Sequence, residues 1–176
     1  MTAGRSAWAR WRGRGGLLVS ALCDPGARGV TRPRGLPGAL IEVLQDLAAL
    51  GARVFVAMVF LRSGLTKIQD WETTLALFQD EYHVPVLPPE LAAYLGTGGE
   101  LVLPVLLMLG LGGRFAALGL SVVNLVAVLS LEEIAPAALL GHQLWGALLL
   151  AVALFGPGRV AVDAAVRDWL TRADGT

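Results

Sequence analysis

Glu100 is the residue whose type and position point most clearly to a polar site. It stands near the middle of the apolar stretch 91–112, which is long enough to cross a bilayer at roughly 20 residues for about 30 Å of hydrocarbon. A carboxylate at membrane depth is costly, so we expect it to face the interior of a helix bundle beside a partner. Pro104 cannot donate to the carbonyl of Glu100, which therefore needs another partner as well. Either a neighbouring Ser or Thr satisfies a packing defect, or Glu100 belongs to a site, which is the interpretation the sequence favours.

Other polar residues within apolar stretches are candidates for the same pocket: Arg62, Lys67, Asn124 and His142. At 1.5 Å per residue, Arg62, Glu100 and their counterparts in the later spans fall within roughly 5 to 14 Å of one membrane surface. The opposite half of the spans is almost purely Leu, Val, Ala and Gly. Arg62 is expected to pair internally. Lys67, near a helix end, is expected to extend its stem to the surface. If Glu100 is paired inside the bundle, Lys67 is its first candidate partner and Arg62 the second.

Three kinds of chemistry fit such a pocket. A buried ion pair fixes helix register and is purely structural. Glu100 with His142 relays protons to or from a quinone ring, because histidine titrates near neutral pH. The third is transport or metal handling, but one His with one Glu is thin ligation for a metal that normally takes three or four ligands, so no metal site is predicted. The sequence contains no recognisable haem site, Ser-His-Asp triad, P-loop or dinucleotide fingerprint.

The composition indicates a membrane protein. Of the 176 residues, 55% are hydrophobic and 16% are charged, and the mean hydropathy is +0.64. An ordinary soluble domain is less apolar than this. Cys23 is the only cysteine, which excludes an intrachain disulfide. The formal net charge of zero gives no reason to expect a nucleic-acid partner, whereas the lipid bilayer is expected.

We therefore predict an all-α fold, an integral membrane four-helix bundle formed by residues 39–172. The expected spans are about 52–68, 91–111, 115–131 and 139–155. Short amphipathic helices are expected on the N-terminal side, in the first external loop and at the C-terminus. Residues 1–38 hold seven arginines against one acid, and they predict a basic, disordered cytoplasmic arm.

The distribution of basic residues predicts the orientation. With both termini in the cytoplasm, twelve of the 14 Lys and Arg residues fall on the inner side. The external connections then carry mostly acids. This bias follows the positive-inside rule, so four spans with cytoplasmic N- and C-termini are expected.

Four stretches of the chain, in order, resemble the DoxX family of small four-span bacterial membrane proteins. They are F-L-R-S-G-L-T-K-I-Q-D-W at 60–71, E-Y-H-V-P-V-L-P-P-E-L-A-A-Y-L-G-T-G-G-E-L at 81–101, L-G-L-G-G-R-F-A-A-L-G-L at 109–120 and G-P-G-R-V-A-V-D at 156–163. The resemblance covers roughly residues 50–170. It implies a bacterial inner-membrane protein.

The resemblance also shapes the functional expectation. The family name comes from a likeness to a subunit of an archaeal thiosulfate:quinone oxidoreductase, and other relatives are linked to membrane redox complexes or stress responses. Similar sequences carry an aromatic residue, often Trp, where this chain has Arg62. Four of the candidate residues fit the family pattern better, namely Lys67, Glu100, Asn124 and His142.

The resemblance thus implies an accessory subunit of a membrane redox system, quinone-linked or engaged in thiol or sulfur oxidation, rather than a stand-alone enzyme. Its expected partners are other redox subunits or further copies of itself, and quinone is the cofactor considered. The alternative is a non-enzymatic membrane scaffold or small transporter in a metal or oxidative stress response.

Overall fold

The computed structural model describes residues 36–173, which are helical with no β-strand in that range. Its helices are α1 Leu36–Gln69, α2 Trp71–Asp80, α3 Pro89–Leu109, α4 Gly113–Leu129, α5 Pro136–Phe155 and α6 Val162–Ala173. The prediction of an all-α fold is confirmed. The predicted basic arm lies outside the described residues, except for 36–38, which belong to α1.

Helices α1, α3 and α5 are each long and apolar enough to cross a membrane. Helix α4 is apolar but has 17 residues, which is about 25 Å at 1.5 Å per residue. Large apolar side chains on these helices point outward, including Val102, Leu125 and Leu144, each more than half exposed. Outward apolar faces on long helices are what a lipid environment requires, because lipid does not drive apolar groups into the protein interior.

The predicted amphipathic helix before the first span is continuous with that span. Helix α1 runs for 34 residues, about 51 Å at 1.5 Å per residue. Gly51 does not interrupt the helix, because a glycine in a helix interior costs only about 1 kcal/mol relative to Ala. One face of its first turns is held by Arg159, which contacts Glu42 at 2.5 Å and Asp46 at 3.4 Å. The first turns of α1 are thereby joined to the segment before α6.

Prolines and glycines set the other helix ends. Pro89 and Pro136 occupy first-turn positions of α3 and α5, where the missing N–H is not needed. Gly110 and Gly112 have φ values of 69° and 56°, in the left-handed region that glycine adopts without steric cost. This turn makes α3 and α4 sharply connected neighbours.

Small residues in the core let the helices approach each other closely. One cluster of buried residues joins the four long helices: Val56, Ala57, Phe60, Leu107, Ala116, Ala117, Leu120, Leu149 and Val152. A second, at the opposite end, packs Phe78 of α2 on Ala92 and Ala93 of α3. A Cβ on Gly64 of α1 would lie 3.1 Å from the backbone carbon of Glu100. Helix α1 therefore passes directly against α3 at the level of the acid.

Candidate functional site

An ion pair between α1 and α3 forms one wall of the candidate site. The Lys67 Nζ donates to Glu100 Oε2 at 2.5 Å and to the Ser63 hydroxyl at 2.9 Å. The Glu100 side chain is 9% exposed and that of Lys67 is 20% exposed. The expectation that Lys67 extends to the surface is wrong in this structure. Pairing with a buried carboxylate outweighs solvation of the ammonium group, since the acid alone would strand a charge at this depth.

A second polar pair joins α4 and α5. The Asn124 Nδ2 donates to the backbone carbonyl of His142 at 2.9 Å, and the Asn124 Oδ1 lies 2.8 Å from the His142 Nδ1. A carbonyl can only accept, so the amide nitrogen must face it and the amide oxygen must face the ring. The Trp145 ring lies edge-on to the imidazole with centroids 4.9 Å apart. Asn124, itself buried, thus holds the histidine ring in one orientation.

Both pairs border one cavity of about 340 Å³. Its walls come from α1 to α5 and from the connection before α3: Ser63, Lys67, Phe78, Tyr82, Val84, Leu87, Ala92, Leu95, Gly96, Glu100, Val122, Val123, Val126, Ala127, Ser130, Leu131 and His142. Most of these side chains are apolar. The cavity therefore has a mostly apolar lining with a few polar groups at fixed positions, which is typical of small-molecule sites.

The cavity is covered by α2 and the connection that follows it. Phe78 and Tyr82 pack edge to face with ring centroids 5.1 Å apart, and the His83 N–H donates to the Ser130 carbonyl at 2.8 Å. Burial, followed by the charges of Glu81 and Glu100, raises the pKa of the Tyr82 phenol. Tyr82, which lines the cavity, consequently stays protonated and uncharged at neutral pH.

The structure brings four of the five predicted site residues together. Lys67, Glu100 and His142 line the cavity, and Asn124 supports His142 from behind. Arg62 is exposed on α1, and its side chain makes no hydrogen bond or ion pair within residues 36–173. It precedes Lys67 by five residues, which turns it roughly 140° around the helix at 100° per residue. The internal pairing expected for Arg62 therefore does not occur.

Sequence reasoning missed a second polar cluster, at the other end of the bundle. Arg53 is 2% exposed, and its Nη1 and Nη2 donate to the carbonyls of Pro157 and Val160 at 2.5 and 2.7 Å. The Asp163 carboxylate accepts from the N–H groups of Gly112 and Gly113 at 3.0 and 3.1 Å. It therefore caps the start of α4, where the helix dipole favours a negative charge. The Gly-Pro-Gly stretch followed by an acid was the available signal.

Within residues 36–173 there is no group of three or more His, Cys, Asp or Glu that could hold a metal ion. The polar groups of the cavity are instead two side-chain pairs set in apolar walls. That arrangement can hold an uncharged ring with polar substituents and can donate and accept hydrogen bonds at fixed points.

These features define the class: the chain is a helical membrane bundle with a polar pair buried between its helices. Residues 48–133 match the family model named DoxX, so this part of the chain is similar to the DoxX family. An uncharacterized protein of Haemophilus influenzae is 36% identical over 84 residues, which are 46% of this chain and 54% of that protein. The chain thus spans about half the length of the curated relative it matches. No solved structure matches. The matched region holds Lys67, Glu100 and Asn124, while His142 lies beyond it.

Proposed function

We propose that this chain is an accessory subunit of a membrane redox system and that its cavity binds the ring of a quinone. The observation that carries the proposal is the apolar cavity with an ion pair in one wall and an oriented histidine in another. Its volume of about 340 Å³ lies at the lower end of the roughly 300–1,000 Å³ usual for small-molecule pockets. A single ring fits that volume, and a long isoprenoid tail must remain outside in the lipid.

The chemistry proposed for the chain is binding and proton exchange. A quinone takes up two electrons and two protons to become a quinol. A partner subunit that oxidises a thiol pair or a reduced sulfur compound supplies the electrons. The residues of this chain hold the ring and move protons at its oxygens, with His142 and the Lys67–Glu100 pair as the groups within the wall.

The proposed location is the bacterial inner membrane, in contact with the lipid bilayer and with other redox subunits or further copies of this chain. Cytoplasmic N- and C-termini are part of the proposal, and the excess of basic residues at the end of the bundle that holds Arg53, Arg114 and Arg159 supports them. The cavity then lies in the outer half of the membrane. Reporter fusions at Asp80 and Glu133 test this orientation, and a cytoplasmic signal at Asp80 would contradict it.

The alternative function is a non-enzymatic scaffold or small transporter in a metal or oxidative stress response. One observation favours it: Lys67 and Glu100 neutralise each other at 2.5 Å, so the pair can serve helix register alone. A scaffold needs no ligand in the cavity. Ligand binding therefore separates the two functions.

The test is the stability of the purified protein in the presence of a short-chain quinone. A ligand that binds the folded state at 100 times its Kd stabilises it by about 2.7 kcal/mol, which is measurable as a rise in Tm. Gly96→Leu is the blocking variant, because Gly96 lines the cavity. Gly98→Leu is its matched control on α3, because a Cβ there meets nothing within 4 Å.

The expected result is a quinone-dependent rise in Tm for the native protein and for Gly98→Leu, and none for Gly96→Leu. No rise in the native protein would refute the quinone site and favour the scaffold. An equal rise in both variants would place the ligand somewhere other than this cavity.

A further inference from the structure

Building on the proposed quinone site, we infer that the cavity is selective for the reduced, hydroxyl-bearing form of the ring. The feature that carries the inference is the pair of contacts between Asn124 and His142, which fixes the protonation pattern of the imidazole. The specificity-determining atom is the His142 Nε2.

The amide of Asn124 has a single orientation. Its two ends are distinguished by the backbone carbonyl of His142, which accepts from Nδ2 at 2.9 Å. The amide oxygen is therefore the atom that faces the His142 Nδ1 at 2.8 Å. A carbonyl-type oxygen can only accept, so Nδ1 must carry the hydrogen.

The other ring nitrogen of His142, Nε2, takes the complementary role. In a neutral imidazole one nitrogen donates and the other accepts. Because Nδ1 is the donor, Nε2 is left as the acceptor. His142 lines the cavity, and we assign its Nε2, a basic nitrogen without a hydrogen, as the group that it offers to a bound molecule.

The ligand must supply the hydrogen that Nε2 accepts. The two oxygens of a quinone only accept hydrogen bonds, so a quinone oxygen facing Nε2 would place two acceptors against each other. A quinol carries a hydroxyl at the same position and donates to Nε2 directly. A site built to bond a hydroxyl rejects an analogue that lacks it, because the buried polar group of the protein is then left unpaired.

The opposite wall accommodates either form of the ring. The Lys67 ammonium has three N–H groups, two of which are used by Glu100 and Ser63. The Glu100 carboxylate has a second oxygen besides the Oε2 bound by Lys67. This pair can therefore donate to an oxygen or accept from a hydroxyl, so the selectivity resides at His142.

Selective binding has a consequence for electron transfer. If the quinol binds tenfold more tightly than the quinone, the two-electron reduction potential of the bound ring rises by about 30 mV. The bound quinone is then more readily reduced by the partner subunit. Asn124 is a positioning residue in this scheme, since it acts only through the imidazole.

The direct experiment compares three ligands on the full chain in lipid nanodiscs without oxygen: a short-chain benzoquinol, its benzoquinone and the dimethyl ether of the quinol. Calorimetric titration is expected to give a Kd for the quinol about tenfold below those of the other two, equal to about 1.4 kcal/mol. Quinone binding as tight as quinol binding would overturn the inference and leave the proposed function standing. No binding of any of the three would overturn both.

The tautomer itself is measured by nitrogen NMR, without any change in the cavity. The chain contains two histidines, and His83 is exposed, so His83→Gln leaves a single imidazole to observe. Above neutral pH the spectrum is expected to show a protonated Nδ1 and an unprotonated Nε2. The opposite pattern, or rapid exchange between the two, would overturn the inference whatever the ligand affinities are.

A variant of the positioning residue gives a signature that a merely structural role would not. In Asn124→Asp a carboxylate faces Nδ1 and favours the doubly protonated ring, so Nε2 becomes a donor. The ligand preference is expected to move from the quinol toward the quinone by about tenfold. An unchanged preference in a folded Asn124→Asp protein would show that the orientation of the imidazole does not set the selectivity.

Discussion

Replacing Glu100 by Gln keeps the shape of the side chain and removes its charge. The Lys67 Nζ, now 2.5 Å from Glu100 Oε2, would then be left without a counter-charge. Removing one partner of a buried ion pair costs about 3–5 kcal/mol. The Lys67 side chain is 20% exposed and still has the Ser63 hydroxyl at 2.9 Å. We therefore expect a loss of about 3 kcal/mol, at the lower end of that range.

The assay is reversible unfolding of the purified protein in mixed micelles, as the fraction of denaturing detergent is raised. The matched control is Glu133→Gln, the same substitution at an exposed residue of the connection between α4 and α5. An exposed substitution of this kind is expected to change the free energy of unfolding by less than about 0.5 kcal/mol. The difference between the two variants isolates the effect of burial and pairing.

A double-mutant cycle identifies the partner. Lys67→Met removes the positive charge but keeps a long apolar stem, and replacing both members of a buried pair is often close to neutral. The double variant Glu100→Gln with Lys67→Met is therefore expected to recover part of the loss, with an interaction energy of about 1–3 kcal/mol. Additive effects would refute the pairing. A Glu100→Gln protein as stable as the control would refute the claim that the acid is buried in a site.

Three further predictions concern other parts of the molecule. Arg53→Lys is expected to lower stability by about 1–3 kcal/mol in the same titration, since one ammonium group cannot reach both backbone carbonyls and a buried acceptor is left unpaired; a native-like stability would contradict the contacts. Gly64→Ala is expected to lower the free energy of unfolding by about 1–3 kcal/mol through overpacking, because its Cβ would lie 3.0–3.1 Å from atoms of α3. Gly98→Ala has open space around its Cβ and is expected to raise the free energy of unfolding by about 0.4–1 kcal/mol. Effects of the same sign would refute the close packing at Gly64. Asp70 is the N-cap of α2, and side-chain and backbone hydrogen bonds from Thr73 lower its pKa from the ordinary value of 3.8. Its stabilising effect is therefore complete above 3.8 and is lost as the pH falls through the lower folded value. Asp70→Ala is expected to abolish this part of the acid dependence, and an unchanged acid profile would count against the cap.

The parts of the fold that followed from the sequence are those set by local pattern. Apolar length identifies the long helices, because a backbone in lipid must satisfy its own hydrogen bonds. The inward position of Glu100 followed from the same physics, since an isolated carboxylate is costly at that depth. For Asn124 and His142 the sequence predicted a similar depth in the membrane but not the contact between their side chains. Depth along a helix is known from residue counts, but the angle around the helix depends on packing.

The residues that sequence reasoning misplaced or missed are those whose surroundings depend on how the helices pack. Arg62 was assigned to the pocket by depth, but α1 turns it away from Lys67. Arg53 was not among the predicted site residues, yet it binds carbonyls 104 and 107 residues away. Asp163 stands in the first turn of α6, and nothing in its own helix indicates that its carboxylate reaches the start of α4. Local propensity does not contain such information, because several partners compete for the same charge.

The two polar clusters differ in a way that bears on where a ligand can act. At the other end, the Arg53 guanidinium and the Asp163 carboxylate bind backbone atoms, which neither titrate nor move without unfolding a helix end. That end also lacks room: a Cβ on Gly110 would lie 2.5 Å from Ala161, and one on Gly113 would lie 2.7 Å from Pro157. Around the cavity the partners are side chains with unused donors and acceptors. A group that exchanges protons must be able to change partners, so the cavity end is the one where chemistry can occur, while the Arg53 end holds the helices in place.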